Sequence, residues 1–312
     1  MNISEKLKEI SCDDIAPQSK GRKRTSYYVF NFIRIVLFLV CLAVFLFSLK
    51  SIIDNFEDFN SGEDFYESIV DEFNNIGKEG LTSPIYSAEK VVPLVKFDEM
   101  LLSKGELPPI VSNEELEEYL KVKNKLTILR EQYPELVGWI TIENTKINYP
   151  LMRAKDNQYY VNHAADGTPN YSGAIFADFR CTKAPEKTPN YVIYGHNIRS
   201  WGTMFNGITN FFNKSYFNSR PTIEISTFDG IYEYTIIAVF ETDIYADYTR
   251  INFANTDMAD FIGNIYDLAS ISREVEYNSN SKIVTLSTCS NSFDDDKRYA
   301  LVGILTKSIT PN

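Results

Sequence analysis

The fold is decided by residues 282–289, Lys282-Ile283-Val284-Thr285-Leu286-Ser287-Thr288-Cys289, whose β-branched and apolar side chains are typical of a strand. Polar Ser290-Asn291-Ser292 ends this strand directly after the cysteine. A second run, Arg298-Tyr299-Ala300-Leu301-Val302-Gly303-Ile304-Leu305, begins nine residues after Cys289. If the two strands pair through the intervening loop, Arg298 returns beside Cys289. The stretch therefore predicts both a sheet and a candidate site at its edge.

Short strand-like runs continue on the N-terminal side of this segment. We expect strands at 137–142, 147–151, 173–177, 191–194, 222–227 and 231–241, in addition to 282–288 and 299–306. One helix, at 257–270, precedes the cysteine strand, with Phe261, Ile265, Leu268 and Ala269 facing inward. Many short strands with few helices favour a mostly β fold, a closed or nearly closed antiparallel barrel, over a βαβ sheet.

The N-terminal fifty residues contain a hydrophobic run beside a basic cluster. Residues 35–47 are all apolar, and the wider stretch 27–49 would span about 34 Å as a helix, enough to cross a bilayer. A cleaved signal peptide needs small residues at its cleavage site, which 46–50 lack, and a buried core helix is the other alternative. We expect a retained transmembrane signal-anchor. The basic residues at 20–24 predict a cytoplasmic N-terminus with residues 51–312 outside the cell membrane.

The apolar run and the glycines and prolines that follow it divide the chain into four segments. We expect a cytoplasmic tail at 1–26, the transmembrane signal-anchor at 27–49, an extracellular stalk or linker at 50–109, and the domain that carries Cys289 at 110–312. Within the stalk, residues 54–73 show a helical amphipathic pattern, which Gly77, Gly80, Pro84 and Pro93 then break. Pro108-Pro109 precedes a capping-box pattern, Ser112-Asn113-Glu114-Glu115, that opens the domain with a helix.

Charge and composition exclude several function classes. The net charge is −11; residues 1–50 hold +4, so the rest of the chain holds −15. Such an acidic body repels phosphate backbones, so we expect no nucleic-acid partner. Two histidines and four cysteines are too few, and wrongly spaced, for a Cys/His zinc module. With Cys12 in the tail and Cys41 in the membrane, any exported cysteine chemistry falls to Cys181 or Cys289.

Local context favours Cys289 as a nucleophile. A thiol at a strand end can attack a substrate, and a guanidinium at Arg298 can donate hydrogen bonds to the resulting oxyanion. His196 follows a separate strand end, 190–194, and can exchange protons with the thiol and the leaving amine. A papain-like peptidase is disfavoured because there the cysteine precedes the histidine and opens a helix. The alternatives are a Cys181–Cys289 disulfide and two ordinary loop histidines.

Thr285-Leu286-Ser287-Thr288-Cys289 followed by Arg298 resembles the signature of the sortases, the membrane-anchored transpeptidases of Gram-positive surfaces. The likeness is to class B in three further segments, 136–140, 173–180 and 194–197, and in the helices before the barrel and before the cysteine strand. It covers roughly residues 110–309. The resemblance implies a closed β-barrel of about eight strands, with a helical segment at its N-terminus and a helix inserted before the cysteine strand. It also implies one transmembrane helix that precedes this domain.

The resemblance also implies roles for individual residues. Cys289 matches the nucleophile, His196 the general acid/base and Arg298 the arginine that stabilises the oxyanion or orients the substrate. Residues expected to shape the site are Thr288, Ser287, Asn197 and Tyr194, although Thr288 is equally explained as one more strand residue. His163 matches no catalytic motif, and Cys181 is expected to be a packed free thiol. No cofactor or metal is implied, and Asp294-Asp295-Asp296 is interpreted as a solvated loop rather than a calcium site.

The predicted activity is transpeptidation through a thioacyl-enzyme. The implied partners are secreted surface proteins with a C-terminal sorting motif, cleaved after Thr, and an amine of the peptidoglycan precursor or cross-bridge. Asn-Pro-x-Thr-Asn-like and Pro-x-Thr-Gly-like motifs both remain open, read by loops around 244–280. A pilus-building class C enzyme is disfavoured because the stalk lacks an Asp-Pro-aromatic lid. A cysteine hydrolase and a non-catalytic membrane-tethered binding domain are the alternative functions.

Overall fold

The computed structural model describes residues 20–78, 112–253, 257–289 and 296–311. The chain divides into two compact units, Met1–Glu57 and Asp58–Asn312. The tail residues 1–19, with Cys12, lie outside the described residues, as do the breaks expected at Gly80, Pro84, Pro93 and Pro108-Pro109.

Helix α1, Lys20–Asn75, contains the apolar run. Its segment Tyr27–Asp54 is a candidate transmembrane helix by length and composition, and 28 residues of helix are about 42 Å long. The apolar side chains of this segment are exposed, and Cys41 lies among them. Among the described residues, α1 therefore provides one candidate membrane-spanning helix, near the N-terminus.

The last part of α1 belongs to the second unit and packs on the sheet. Tyr66 and Ile69 are buried in the main hydrophobic core, and Phe73 stacks on Trp139 with ring centroids 4.0 Å apart. The helix ends before Gly77, whose φ of 90° lies in the region that favours glycine. Part of the segment expected to be a stalk or linker thus contributes to the core of the domain.

Helix α2, Asn113–Gln132, begins where the capping-box pattern predicts. The Ser112 hydroxyl accepts from the backbone N–H of Glu115 at 3.2 Å, and the Glu115 carboxylate accepts from the backbone N–H of Ser112 at 3.0 Å. Its buried side chains are Tyr119, Leu126 and Leu129. The helix therefore enters the domain with its first turn satisfied and one face in the core.

Eight strands form the barrel wall, and three two-residue strands accompany them. The wall strands are β1 Leu136–Thr141, β2 Asn148–Met152, β3 Ile175–Ala177, β4 Asn190–Tyr194, β7 Thr222–Thr227, β8 Ile231–Asp243, β10 Ile283–Cys289 and β11 Lys297–Ile309. The short strands are β5 Asn197–Ile198, β6 Thr203–Met204 and β9 Ile271–Ser272. All eight wall strands were predicted from the sequence. The short strands, the 3-10 helix Phe205–Phe212 and helix α3, Lys214–Ser219, were not.

The wall strands close into a ring in the order β1-β2-β3-β4-β10-β11-β8-β7. Closure is made by β11 and β8, which pair from Lys297↔Asp243 to Ile309↔Ile231. The predicted closed barrel is thus confirmed, but the prediction that it is antiparallel is wrong at two places. Strands β2 and β3 pair in parallel, and so do β4 and β10. Loops and a 3-10 helix connect β2 to β3, whereas the connection from β4 to β10 contains strands β5 to β9 and helices α3 and α4.

Helix α4, Asp257–Leu268, covers one outer face of the barrel. Alternation along the strands separates the faces: Leu301 lies in the main core, whereas Ala300 and Val302 pack with Phe261 and Ile265 of the helix. Leu268, expected to face inward, is exposed because it is the last residue of the helix. The helix expected before the cysteine strand is confirmed.

Candidate active site

Strand topology brings the predicted site residues to one edge of the barrel. Because β4 and β10 are parallel, their C-terminal ends lie at the same edge, with Ser287 opposite Tyr194 in the register. The backbone N–H of Gly195 continues the pairing, donating to the Ser287 carbonyl at 3.2 Å. His196 follows β4 by two residues, and Cys289 is the last residue of β10. The histidine and the cysteine therefore come from neighbouring strand ends.

The antiparallel return of β11 adds the arginine. Cys289 and Arg298 are directly opposite each other in the β10–β11 register, as the sequence predicts. Arg298 also pairs with Thr242 of β8. Its partly buried side chain donates from Nη1 to the Lys297 carbonyl at 2.8 Å. A guanidinium stays charged at any physiological pH, so this edge carries a permanent cation beside the cysteine backbone.

A cavity of about 370 Å³ opens at this edge. Of the seven predicted site residues, five line it: Tyr194, His196, Ser287, Thr288 and Arg298. The other lining residues are Asn157, Gln158, Val161, Phe176, Gly195, Ile244, Tyr248 and Thr249. Ile244, Tyr248 and Thr249 belong to the 244–280 region in which the sequence predicted a recognition groove. The cavity can hold an extended peptide segment against a histidine and an arginine.

His196 is held in one tautomer by the backbone. Its Nε2 lies 2.6 Å from the Val161 carbonyl oxygen, which can only accept a hydrogen bond. Nε2 therefore carries the proton, and in the neutral ring Nδ1 keeps the lone pair. The His196 carbonyl in turn accepts from the Phe205 N–H at 2.8 Å. The ring is thus oriented with Nδ1 as its available base.

Two glycines permit the close packing around this histidine. A Cβ on Gly195 would lie 2.3 Å from Ile175 Cδ1, so no larger residue fits there without rearrangement. Gly173 has a φ of 58°, and a Cβ on it would lie 2.5 Å from the Tyr160 carbonyl oxygen and 3.1 Å from His196 Cδ2. The back of the imidazole is therefore packed against backbone.

The strand residues that precede the cysteine form a buried floor. Ser287 and Tyr248 share a buried hydrogen bond between their hydroxyls at 2.9 Å. Thr288 is 3% exposed, and its Oγ1 has no hydrogen-bond partner within the described residues. Asn197, by contrast, does not line the cavity; its Oδ1 accepts from Asn206 Nδ2 at 2.7 Å, beside the β5–β6 pair. Of the two residues that flank the Gly195-His196 pair, only Tyr194 borders the cavity.

A buried carboxylate that the sequence did not single out lies behind the cavity. Asp178 follows β3 and is 0% exposed, and it accepts hydrogen bonds from Tyr194, Asn157 and Arg180. Burial raises the pKa of this carboxyl, but the hydrogen bonds and charge of Arg180 outweigh burial and hold the pKa below its usual value. In the sequence, Asp178 stood out only as part of the 173–180 segment.

The other cysteine and the other histidine of the barrel domain, Cys181 and His163, do not line the cavity. Cys181 is a free thiol, 1% exposed, and burial raises its pKa to about 12, so it is poorly suited to nucleophilic chemistry. A disulfide between Cys181 and Cys289 is therefore not formed. The His163 ring stacks on the Tyr159 ring with centroids 4.2 Å apart, and its Nδ1 lies 2.8 Å from the Tyr159 carbonyl oxygen. Both contacts are with Tyr159.

Metal ligands do not converge in the part of the chain that the structure describes. Among those residues, no group of three or more His, Cys, Asp or Glu side chains is placed to hold an ion. Asp294 and Asp295 of the acidic loop lie outside the described residues.

A further cavity, of about 360 Å³, lies between α1 and the barrel. Its lining includes Glu63, Tyr66 and Lys146 and contains no cysteine or histidine among the described residues.

Comparison with known proteins places these features in a family. Residues 140–306, more than half of the chain, match the family model described as "Sortase domain". The sortase B of Listeria monocytogenes is 32% identical over 178 residues, which cover 57% of this chain and 72% of that protein. The sortase B of Staphylococcus aureus is 27% identical over 188 residues, which cover 60% of this chain and 76% of that protein.

The fold is also that of solved structures. A Staphylococcus aureus sortase B–substrate complex superposes with a TM-score of 0.61 at 23% sequence identity, over 80% of this chain and 99% of that chain. The match shows that the barrel and part of the chain that precedes it share one architecture with that protein.

Proposed function

Since the chain belongs to the sortase family, in its class B, and is accordingly a cysteine transpeptidase, we propose that Cys289, His196 and Arg298 carry its chemistry. One observation supports this assignment above the others. The parallel pairing of β4 with β10 and the return of β11 bring His196 and Arg298, which line the cavity, to the same barrel edge as the strand end that carries Cys289.

In the first half-reaction the enzyme is acylated. Cys289 gives its proton to Nδ1 of His196, and the thiolate attacks the backbone carbonyl carbon of the threonine in a sorting motif. Arg298 donates hydrogen bonds to the carbonyl oxygen as it becomes an oxyanion. When the tetrahedral intermediate collapses, the C–N bond breaks and His196 protonates the departing amine. The products are a thioacyl-enzyme and the released C-terminal peptide.

In the second half-reaction an amine of the peptidoglycan stem or cross-bridge attacks the thioester. His196, neutral again, accepts a proton from the attacking nitrogen through Nδ1 and returns it to the departing Cys289 sulfur. A new amide bond forms and the free thiol is restored. A neutral amine is a stronger nucleophile than water, so ligation outcompetes hydrolysis when the acceptor is present.

The cavity walls select the peptide. Tyr194, Ser287 and Thr288 line the cavity and shape its surface next to the reacting atoms. Asn197 does not line the cavity, and its side chain holds that of Asn206. The proposed substrate is a secreted protein with an Asn-Pro-x-Thr-Asn-like or Pro-x-Thr-Gly-like motif near its C-terminus.

We propose that the Tyr27–Asp54 helix anchors the protein in the cell membrane, with the N-terminus in the cytoplasm. The basic residues at 20–24, before the apolar run, support this orientation. A membrane-impermeant maleimide separates the possibilities in intact cells. A single-cysteine variant that keeps Cys12 should react only after the membrane is permeabilised, whereas a cysteine introduced by Lys78→Cys should react at once; the opposite pattern would reverse the topology.

The assignment of the nucleophile is tested with the full chain in detergent micelles. The enzyme is incubated with a sorting peptide, with and without an oligoglycine amine, and products are identified by mass spectrometry. Cys289→Ala should abolish both ligation and cleavage. Cys181→Ala, which removes the other exported thiol, should retain ligation because that thiol is buried away from the cavity. Ligation by Cys289→Ala would refute the proposal, and cleavage without any ligated product would identify a hydrolase instead.

A further inference from the structure

We propose that Asp178 is a positioning residue for the transfer reaction, because its buried carboxylate holds two walls of the cavity and through them orients the His196 imidazole. This inference rests on the proposed role of His196. Asp178 does not line the cavity, so its carboxylate acts through other residues rather than on the substrate.

Five hydrogen bonds converge on this carboxylate. Oδ1 accepts from the backbone N–H and the Nε–H of Arg180, both at 2.9 Å. Oδ2 accepts from Arg180 Nη2 at 2.7 Å, from Asn157 Nδ2 at 2.9 Å and from the Tyr194 hydroxyl at 3.0 Å. Two of these five donors belong to side chains that line the cavity. The partly exposed Arg180 therefore compensates the charge, and Oδ2 joins two cavity walls.

The first route to the histidine runs along β4. Tyr194 ends that strand two residues before His196, and the hydrogen bond to Asp178 fixes its hydroxyl. Its ring contacts Phe176 with centroids 5.5 Å apart, which holds the other side. The Asp178 N–H also donates to the Val192 carbonyl of the same strand at 2.9 Å. Asp178 is thus hydrogen-bonded to β4 at two residues, Val192 and Tyr194, which precede His196.

The second route runs through the segment 157–161. Asn157 donates to Asp178 and accepts, through Oδ1, from the Phe179 N–H at 2.9 Å, so its amide is fixed at both ends. Four residues later the Val161 carbonyl accepts the Nε2–H of His196 at 2.6 Å. The residue that selects the tautomer therefore lies on a segment that Asp178 anchors.

An amide cannot replace this carboxylate. In Asp178→Asn one oxygen would become an NH₂ group that faces donors instead of accepting from them. The Tyr194 hydroxyl, the Asn157 amide and Arg180 would then compete for the single remaining oxygen. Because buried donors without acceptors are unfavourable, the two cavity walls should shift. The substitution preserves volume, so its effect reports on hydrogen bonding rather than on packing.

Kinetics of the full chain in detergent micelles give the first measurement. Asp178→Asn should lower the kcat for ligation by about 10- to 100-fold, since small misplacements of catalytic groups have effects of that size, while KM changes less than about threefold. Tyr194→Phe, combined with Asp178→Asn, should add little to the loss. The control is Ile223→Val, a fully buried change in β7 that lowers thermal stability without touching the cavity. Equal kcat losses in Asp178→Asn and this control would overturn the proposal.

The histidine tautomer gives a second measurement, which does not depend on activity. Selective ¹⁵N-histidine labelling yields two imidazoles, assigned with a His163→Gln variant. Above the pKa of the ring, His196 should show the Nε2–H tautomer in the native chain and a tautomer mixture in Asp178→Asn. An unchanged His196 spectrum in Asp178→Asn would overturn the positioning role. If the native chain instead shows this tautomer but performs no ligation, it is the proposed function that fails.

Discussion

At the scale of single residues, the site combines one fixed base with one permanent cation. The Val161 carbonyl orients His196, and the β10–β11 register places Arg298 opposite Cys289. The two cysteines of the barrel domain, Cys181 and Cys289, differ mainly in their surroundings. Cys181 is enclosed and keeps its proton, whereas Cys289 ends a strand at the cavity edge. Position within the fold, rather than residue type, therefore distinguishes the proposed nucleophile from the buried thiol.

The arginine provides the prediction at this scale. In Arg298→Lys the charge is kept but the planar fork of donors is lost. We expect kcat for ligation to fall about 100-fold, the typical effect of removing an oxyanion donor. The measurement is single-turnover acylation of Cys289 by a sorting peptide. Arg220→Lys is the matched control, since Arg220 stacks on Tyr216 away from the cavity, and it should acylate at the native rate. Acylation of Arg298→Lys at the native rate would exclude the oxyanion role.

At the scale of elements, the end of α1 is part of the catalytic domain. Ile69 is fully buried in the main core, and Phe73 stacks on Trp139 of β1. Tyr66 donates to the Gly173 carbonyl at 2.7 Å, and Gly173 packs behind His196. The helix is therefore joined to the backbone that supports the imidazole, as well as to the apolar core.

Truncating the helix face should destabilise the whole domain. Ile69→Ala removes a fully buried side chain, and we expect the free energy of unfolding to fall by about 2–5 kcal/mol. Ser68→Ala, one residue away on the exposed face, should change it by less than about 0.5 kcal/mol. Denaturant unfolding of the full chain, followed by tryptophan fluorescence, compares the two. Equal midpoints for both variants would show that this part of α1 does not support the fold.

At the scale of the whole molecule, the barrel encloses many tyrosines. Tyr191, Tyr232 and Tyr234 are fully buried, and burial raises the pKa of each well above its usual value. Burial likewise raises the pKa of Tyr149 to about 12. A tyrosine whose pKa is raised on folding contributes stability that is present below pH 10 and is lost as the pH rises through its folded pKa. The domain should therefore weaken in alkaline solution.

The loss of stability in alkaline solution can be measured as the slope of the free energy of unfolding against pH. Between pH 10 and 12 the free energy of unfolding should decline, with tyrosinate absorbance appearing together with unfolding rather than before it. Tyr191→Phe should reduce the decline by at most about 1.4 kcal/mol per pH unit, the contribution of one proton. Tyr245→Phe, at a position that is 81% exposed, should leave the slope unchanged. Tyrosinate absorbance of all tyrosines in the folded protein at pH 11 would contradict the prediction.

Local patterns predicted most of the elements because strands and helix caps are encoded over a few residues. Short runs of strand-forming residues predict all eight wall strands, and the Ser112–Glu115 spacing predicts the start of α2. The scarcity of cysteine and histidine left few candidates for the chemistry. Periodicity predicts that Leu268 faces inward, but it does not show where a helix stops, and Leu268 is the exposed last residue of α4. The class B resemblance at 194–197 implies a site role for Asn197, but its side chain accepts from Asn206 and does not line the cavity.

What the sequence determined by itself is the eight wall strands with helices α2 and α4, the candidate nucleophile with its histidine and arginine, and one apolar helix long enough to cross a membrane. Only the tertiary structure decided the parallel pairing of β4 with β10, the packing of the end of α1 on the barrel and the convergence of Tyr194 and Asn157 on Asp178. The physical reason is that propensity and periodicity act between near neighbours. Strand partners and buried hydrogen bonds, in contrast, join residues separated by tens of positions, and closure of the whole barrel selects them.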